Sequence, residues 1–190
     1  MRRTLVSLTT ITMLTLGALV SAAPAHADDR TCRGSIGRVV VDGNVIVPKG
    51  ASCTLNRTTV KGNVLVRANA TVVVNDGLVD GNVQADGHRR VTVRSTAVVK
   101  GDVQVEDGRY LTVADSRVDG NIQSKRNRAA QVVRDNRVNG DIQFFSNRAG
   151  AKTISRNVVD GNLQCKSNTP APRGSQNRVD GNKEDQCRNL

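Results

Sequence analysis

Valine and other β-branched residues alternate with polar ones around a phrase that returns eight times along the chain. Its copies are Val41-Asp42-Gly43-Asn44-Val45, Val60-Lys61-Gly62-Asn63-Val64, Val79-Asp80-Gly81-Asn82-Val83, Val99-Lys100-Gly101-Asp102-Val103, Val118-Asp119-Gly120-Asn121-Ile122, Val138-Asn139-Gly140-Asp141-Ile142, Val159-Asp160-Gly161-Asn162-Leu163 and Val179-Asp180-Gly181-Asn182-Lys183. The glycines are 19, 19, 20, 19, 20, 21 and 20 residues apart, a period that marks a stack of similar coils. Counted from each glycine, positions −2, +2 and +4 are mostly apolar, as in Val60, Val64 and Val66 or Val99, Val103 and Val105. A period of two predicts strands with one face turned inward. The glycine shares that parity and is expected on the crowded inner side. A second apolar run follows in most coils, as in Val72-Val73-Val74 and Leu111-Thr112-Val113, after turn residues such as Asp86-Gly87 and Asp107-Gly108.

Asp-Gly between apolar residues also marks hairpins, but no partner strand recurs at a short fixed distance. No stretch keeps a helical period, and the leucine framework of leucine-rich repeats is missing. The predicted fold is all-β: a single parallel β-helix, or β-solenoid, of about eight coils of 19–21 residues with two or three short strands each. The crossover preference makes it right-handed.

Opposite parity gives the outward columns. Position +1 carries Asn44, Asn63, Asn82, Asp102, Asn121, Asp141, Asn162 and Asn182, and position +3 carries Gln84, Gln104, Gln123, Gln143 and Gln164. Stacked at a rung spacing of about 4.8 Å, such amides are placed to hydrogen-bond along the axis. Position −1 alternates in sign through Asp42, Lys61, Asp80, Lys100 and Asp119, which sets opposite charges side by side.

The beginning of the chain follows a different pattern. Arg2 and Arg3, the largely apolar run Leu5 to Val20 and the small-residue site Ala25-His26-Ala27 read as a secretory signal peptide over residues 1–27. The β-solenoid domain then occupies residues 28–190, and no later stretch is long or apolar enough to span a bilayer. Without Arg2 and Arg3 the remaining 163 residues carry 26 basic and 17 acidic side chains, a net charge of +9. Trp is absent and the aromatics are Tyr110, Phe144 and Phe145, which suits a thin aliphatic core rather than a thick globular one.

Four cysteines fit an oxidising compartment, secreted or wall-associated. Cys32 and Cys53 lie 21 residues apart, and Cys165 and Cys187 lie 22 apart, about one coil in each case. Neighbouring rungs fall within disulfide reach, whereas cross-pairing would span some six coils. The expectation is a Cys32–Cys53 staple at one end and Cys165–Cys187 at the other. The last coil also reads as a stop: its +2 position is Lys183, followed by Glu184-Asp185-Gln186, and residues 167–175, with two prolines, are expected to bulge before it.

One column is chemically distinctive. Arg89, Arg109, Arg128 and Arg148 occupy position +8 in four consecutive coils, spanning about 14 Å. Asp86 and Asp107 are placed to compensate the first two, while Lys125, Arg126, Arg134, Arg137, Lys152, Arg156 and Lys166 add further base. This is the expected anion-binding site, matched to an anionic cell-wall or extracellular polymer lying along the axis. Specific nucleic-acid binding is not expected, since base-stacking aromatics are nearly absent. No metal or cofactor is expected: there is no C-x-x-C, and His88 is the single histidine after the leader.

Parallel β-helices include pectate lyases and polygalacturonases, so a polysaccharide lyase or hydrolase is the enzymatic alternative. Asp102, Asp119 and Asp141 would have to cluster for it, yet they stand at general repeat positions, and no aromatic-lined cleft is encoded. No catalytic residue is therefore assigned. The recurring Val-x-Gly-[Asn/Asp]-[Val/Ile] phrase resembles the rhythm of bactofilins, cytoskeletal proteins with a right-handed β-helical core that polymerise end to end. That resemblance implies a β-helical fold and offers a self-assembling scaffold as a further alternative to the expected monomer. The leader, the four cysteines and the polar last coil depart from it. The closing phrases around Cys165 and Cys187 resemble those of secreted actinobacterial β-helix repeat proteins, which implies a location and no activity.

Overall fold

The computed structural model describes residues 28–190, so the expected leader lies outside the described residues. Every regular segment is a strand of two to five residues, and all strand pairs are parallel, in three sheets. Sheet A has nine strands, running from Arg30–Thr31 through Val45–Val47 and Val64–Val66 to Lys183–Asp185. Sheet B has seven, from Gly34–Ile36 to Lys152–Ser155, and sheet C has eight two-residue strands, from Val40–Val41 to Arg178–Val179. Until the last coil each sheet collects every third strand of the chain, so a full coil contributes three strands and the molecule is a β-solenoid of about eight turns, its last coil supplying strands to sheets A and C alone. Among the described residues there is no helix, and hence none that could cross a membrane.

The alternation assigned from sequence holds in the interior. Val45, Val64, Val83, Val103, Ile122, Ile142 and Leu163 are wholly buried from sheet A, and Val60, Val79, Val99, Val118, Val138 and Val159 from sheet C. The core is accordingly thin and aliphatic, with Phe144 its largest side chain.

The glycines differ from expectation. From Gly62 to Gly161 those of the repeated phrase are half-buried, at the corner between sheets C and A rather than inside the core. What crowds them is the rung before. A Cβ on Gly62 would lie 2.7 Å from Asn44 Oδ1 and 2.7 Å from the Gly43 carbonyl. The adjoining Asn or Asp explains why that oxygen is there. Asn44 Oδ1 accepts from the Asn63 backbone N–H (2.7 Å), Asn63 from Asn82 (2.8 Å), Asn82 from Asp102 (2.7 Å), and Asp102 from Asn121 (2.7 Å). The ladder continues through Asn121, Asp141 and Asn162 to the Asn182 N–H, and Asp29 starts it. Only an acceptor oxygen is needed, so Asn and Asp serve alike.

The other two corners turn through residues with positive φ, and in the later coils each is followed by a buried asparagine. Arg126 (53°) and Ser146 (56°) precede Asn127 and Asn147, while Asp135 (58°) and Arg156 (53°) precede Asn136 and Asn157. Each amide caps the corner from inside. Asn127 Nδ2 donates to the Val105 carbonyl at 3.0 Å, and Asn147 Oδ1 accepts the Asn127 N–H at 2.9 Å. Asn168 and Asn177 extend the two columns. In earlier coils the same places hold Ala70, His88 and Gly108 on one corner and Thr58, Gly77, Ala97 and Ser116 on the other.

Disulfides Cys32–Cys53 and Cys165–Cys187 lie near the two ends, with Cα separations of 5.7 and 5.3 Å. All four cysteines are buried. Phe144 pairs in register with Cys165 on sheet A, and Thr31 with Ile46, so Cys32 and Cys165 begin and end one inward column that also holds Val47, Val66 and Val105. At the C-terminal end the chain turns back over the stack: Gln186 N–H donates to the Cys165 carbonyl, Leu190 N–H to Cys187, and Leu190 packs on the core. Residues 167–175 add no strand to sheet B; they meet the preceding coil through the single bridges Arg148 to Thr169 and Thr153 to Arg173, and the Arg156 N–H donates to the Ser175 carbonyl.

Candidate anion-binding ridge

The corner where sheet A gives way to sheet B carries the arginine column. The backbone N–H of Arg109 bonds the carbonyl of His88, that of Arg128 bonds Gly108, and that of Arg148 bonds Asn127. Each arginine therefore follows the buried corner residue of its own rung, and Arg89, Arg109, Arg128 and Arg148 stack as an exposed ridge. The mechanism is local: the corner residue turns inward, so the next side chain points out. Among the described residues, no carboxylate lies within ion-pairing distance of any of the four.

The compensation expected from Asp86 and Asp107 is not what the structure has. Asp107 is held by Arg126, which donates from Nε to Oδ1 at 2.9 Å and from a terminal nitrogen to Oδ2 at 2.6 Å, while also reaching Glu106 at 2.8 Å. These hydrogen bonds hold the Asp107 carboxyl below its ordinary range. Arg126, at a positive-φ corner (53°), reaches back along the axis to the preceding rung rather than out over the ridge.

Most of the additional base named from sequence is also removed from the ridge. Arg134 and Arg156 both grip Asp135, at 2.6 Å each, and their hydrogen bonds, that of Arg156 foremost, lower its carboxyl to about 2. Arg137 pairs with Asp160 at 3.2 Å. Lys152 is not on the surface. It is 1% exposed, in register with Gln131 on a core column of sheet B, and its Nζ donates to the carbonyls of Ala149 (2.9 Å) and Thr169 (2.7 Å). Burial lowers its pKa. Lys125 stands 4.0 Å from Glu106, which leaves Lys166 as the exposed addition without an ion pair among the described residues.

The alternating charges at the opposite corner pair as the sequence implied, Lys61 with Asp42 at 2.6 Å and Lys100 with Asp80 at 2.7 Å. The Asp42 hydrogen bond raises the Lys61 pKa. Elsewhere nine cations pair with acids, while others such as Arg67, Arg94 and Arg178 have no ion pair among the described residues; the ridge is singled out by stacking four unpaired arginines at one position of consecutive coils.

Where the arginines begin, the wall is shaped. Ser52, Thr71, Arg90 and Tyr110 stand in register on four successive strands of sheet B. With Arg89 and Arg109 they line a cleft of about 460 Å³. The Arg90 guanidinium lies 4.6 Å from the centre of the Tyr110 ring, and that of Arg109 lies 5.6 Å away. Sequence reasoning missed Arg90 and Tyr110. Their signal was the pairing Arg89-Arg90 and Arg109-Tyr110 at equivalent places in successive coils.

The carboxylates an enzyme would need are occupied. Oδ1 of Asp102 and of Asp141 accepts the backbone N–H of Asn121 and of Asn162, and Asn121 separates the two along the ladder. Asp119 accepts from Arg117 at 2.6 Å and from Asn139 at 3.1 Å. Among the described residues no group of three His, Cys, Asp or Glu side chains is arranged to hold a metal ion. No family model matches the chain, and neither the curated proteins nor the solved structures contain a significant match to it.

Proposed function

We propose that this is a non-enzymatic extracellular or cell-wall-associated solenoid that holds a linear anionic polymer along its axis on the Arg89–Arg148 ridge. One observation carries the reading: four exposed guanidinium groups repeat at the rung spacing, about 4.8 Å, with no carboxylate at ion-pairing distance among the described residues. Like charges stacked so closely repel. A polymer with anions spaced along its length relieves that repulsion, and guanidinium is the cation best suited to forked hydrogen bonds with carboxylate, sulfate or phosphate. The leader pattern and the two disulfides support a location outside the cytoplasm.

The scaffold alternative has less support. A filament needs two mutually complementary ends. The C-terminal end is closed by the Gln186–Leu190 turn, while Val39 and Val40 at the N-terminal end are 43% and 57% exposed. One open end favours at most a pair of copies.

Binding to a panel of anionic polysaccharides at two salt concentrations tests the ridge. Affinity falls with salt, and an Arg128→Glu/Arg148→Glu variant loses about tenfold or more at low salt. Unchanged binding by the double variant overturns the reading.

A further inference from the structure

We infer that the cleft formed by Ser52, Thr71, Arg89, Arg90, Arg109 and Tyr110 is a subsite for one acidic sugar residue, a pyranose bearing a carboxylate or sulfate, and that it anchors a glycan on the ridge. This rests on the ridge reading and narrows its ligand from any polyanion to an acidic polysaccharide.

Three features of the cleft point that way. Its size, about 460 Å³, falls within the range of about 300–1,000 Å³ usual for small-ligand sites. Its guanidinium groups are positioned before any ligand arrives. Tyr110 pairs with Arg90 across the strands, and its ring lies between the reach of Arg90 and that of Arg109, at 4.6 and 5.6 Å. Cation–π contact holds the two charges on a fixed frame where free arginine side chains would spread apart. Arg89 lines the same cleft, so three arginines border the space that one anionic substituent would enter.

The third feature separates a sugar from a bare polyanion. Moving along the axis toward the N-terminal end, the column that supplies Tyr110 and Arg90 next supplies the hydroxyls of Thr71 and Ser52. Hydroxyls both donate and accept, and so can serve a pyranose hydroxyl in either direction, whereas the oxygens of an inorganic phosphate chain use only their donor side. An extended glycan also advances by close to one rung per sugar. A chain lying along the axis would place sugar hydroxyls over Ser52 and Thr71, its first anionic group at Arg89, Arg90 and Arg109, and later ones over Arg128 and Arg148. The gradient from hydroxyl to guanidinium gives the ridge a direction.

The test uses two variants against three probes: an oligogalacturonate, a heparin-type sulfated oligosaccharide and linear polyphosphate. Ser52 is exposed and Thr71 half-buried on the outward face of sheet B, so Ser52→Ala/Thr71→Val leaves the core intact, and thermal unfolding checks that it does. The expected result is a loss of about three- to tenfold in affinity for an acidic oligosaccharide with polyphosphate binding unchanged. Which of the two oligosaccharides responds identifies carboxylate or sulfate as the anion. Equal weakening toward all three probes, or none, overturns the subsite. Arg128→Glu/Arg148→Glu reads the ridge separately: if it changes nothing while the hydroxyl variant weakens glycan binding, the cleft stands and the ridge does not.

Discussion

At the scale of single residues, the recurring Gly-Asn or Gly-Asp pair is one device with two parts. The side-chain oxygen of each Asn or Asp takes the backbone N–H one rung on, and in doing so fills the space a Cβ on the next glycine would need. For Gly140 that Cβ would stand 2.5 Å from Asn121 Oδ1 and 2.8 Å from the Gly120 carbonyl oxygen. Backbone cannot yield as a side chain can, so Gly140→Ala lowers unfolding stability by about 1–3 kcal/mol in urea titration. Asp102→Asn keeps the acceptor for Asn121 and stays within about 0.5 kcal/mol of the parent, whereas Asp102→Ala strands that N–H and costs about 1–3 kcal/mol. His88 behaves differently. It is fully buried on the corner later taken by asparagines, neither ring nitrogen has a hydrogen-bond partner among the described residues, and a Cβ on Gly108 would strike its ring. Desolvation lowers its pKa from 6.5 to about 4. The folded state thus holds the neutral ring, and its contribution is complete above pH 6.5 and is lost as the pH falls from 6.5 toward 4. Urea midpoints should decline through that window and stay flat in a His88→Leu variant. The depressed carboxyl of Asp135 acts lower, since its contribution is lost only between its unfolded value near 3.8 and about 2.

At the scale of the strand and corner, legibility in the sequence depended on whether parity and polarity agreed. Where they did, as in Val60-Lys61-Gly62-Asn63-Val64, strand, facing and outer ladder could all be read, and the opposite charges at −1 do pair. The buried corners were legible in principle and were missed. Asn127, Asn147 and Asn168 recur at 20 and 21 residues, as Asn136, Asn157 and Asn177 do at 21 and 20. A polar residue beside Arg in a turn reads as exposed, and only the positive φ of the residue before it turns the amide inward. Lys152 is the sharpest conflict. Parity with Ile154 put it inside and its charge put it outside, and the decision rested on two carbonyls, one of them 17 residues away, that no local pattern reveals. The ridge was half legible for the same reason. Stacking of the four arginines follows from the period, but the partners of Asp107 and Asp135 depend on which way each neighbouring guanidinium swings.

At the scale of the whole molecule, the architecture is one-dimensional: each coil touches only the coils before and after it, so stability propagates along the axis and is weakest at the ends. The two disulfides stand at those ends, and both begin in the same core column, at Cys32 and Cys165. Each closes a loop of about one coil, which in the chain-entropy account contributes about 3 kcal/mol. The C-terminal staple has more hanging on it. Cys187 fixes the turn that lets Gln186 accept from the Asn168 N–H at 2.8 Å, closing the column of buried amides, and that seats Leu190 on the core. A Cys165→Ala/Cys187→Ala variant should therefore expose the last coil without unfolding the middle. Hydrogen exchange read by mass spectrometry is expected to speed up in peptides covering residues 163–190 and to stay at parent rates over residues 60–120. Uniform acceleration along the chain would mean that the coils unfold as one cooperative unit and that the end staple holds the entire stack, contrary to the nearest-neighbour picture. Confinement of the change to the last coil would also leave the Arg89–Arg148 ridge standing in the variant, so its polyanion affinity should match the parent even as its end frays.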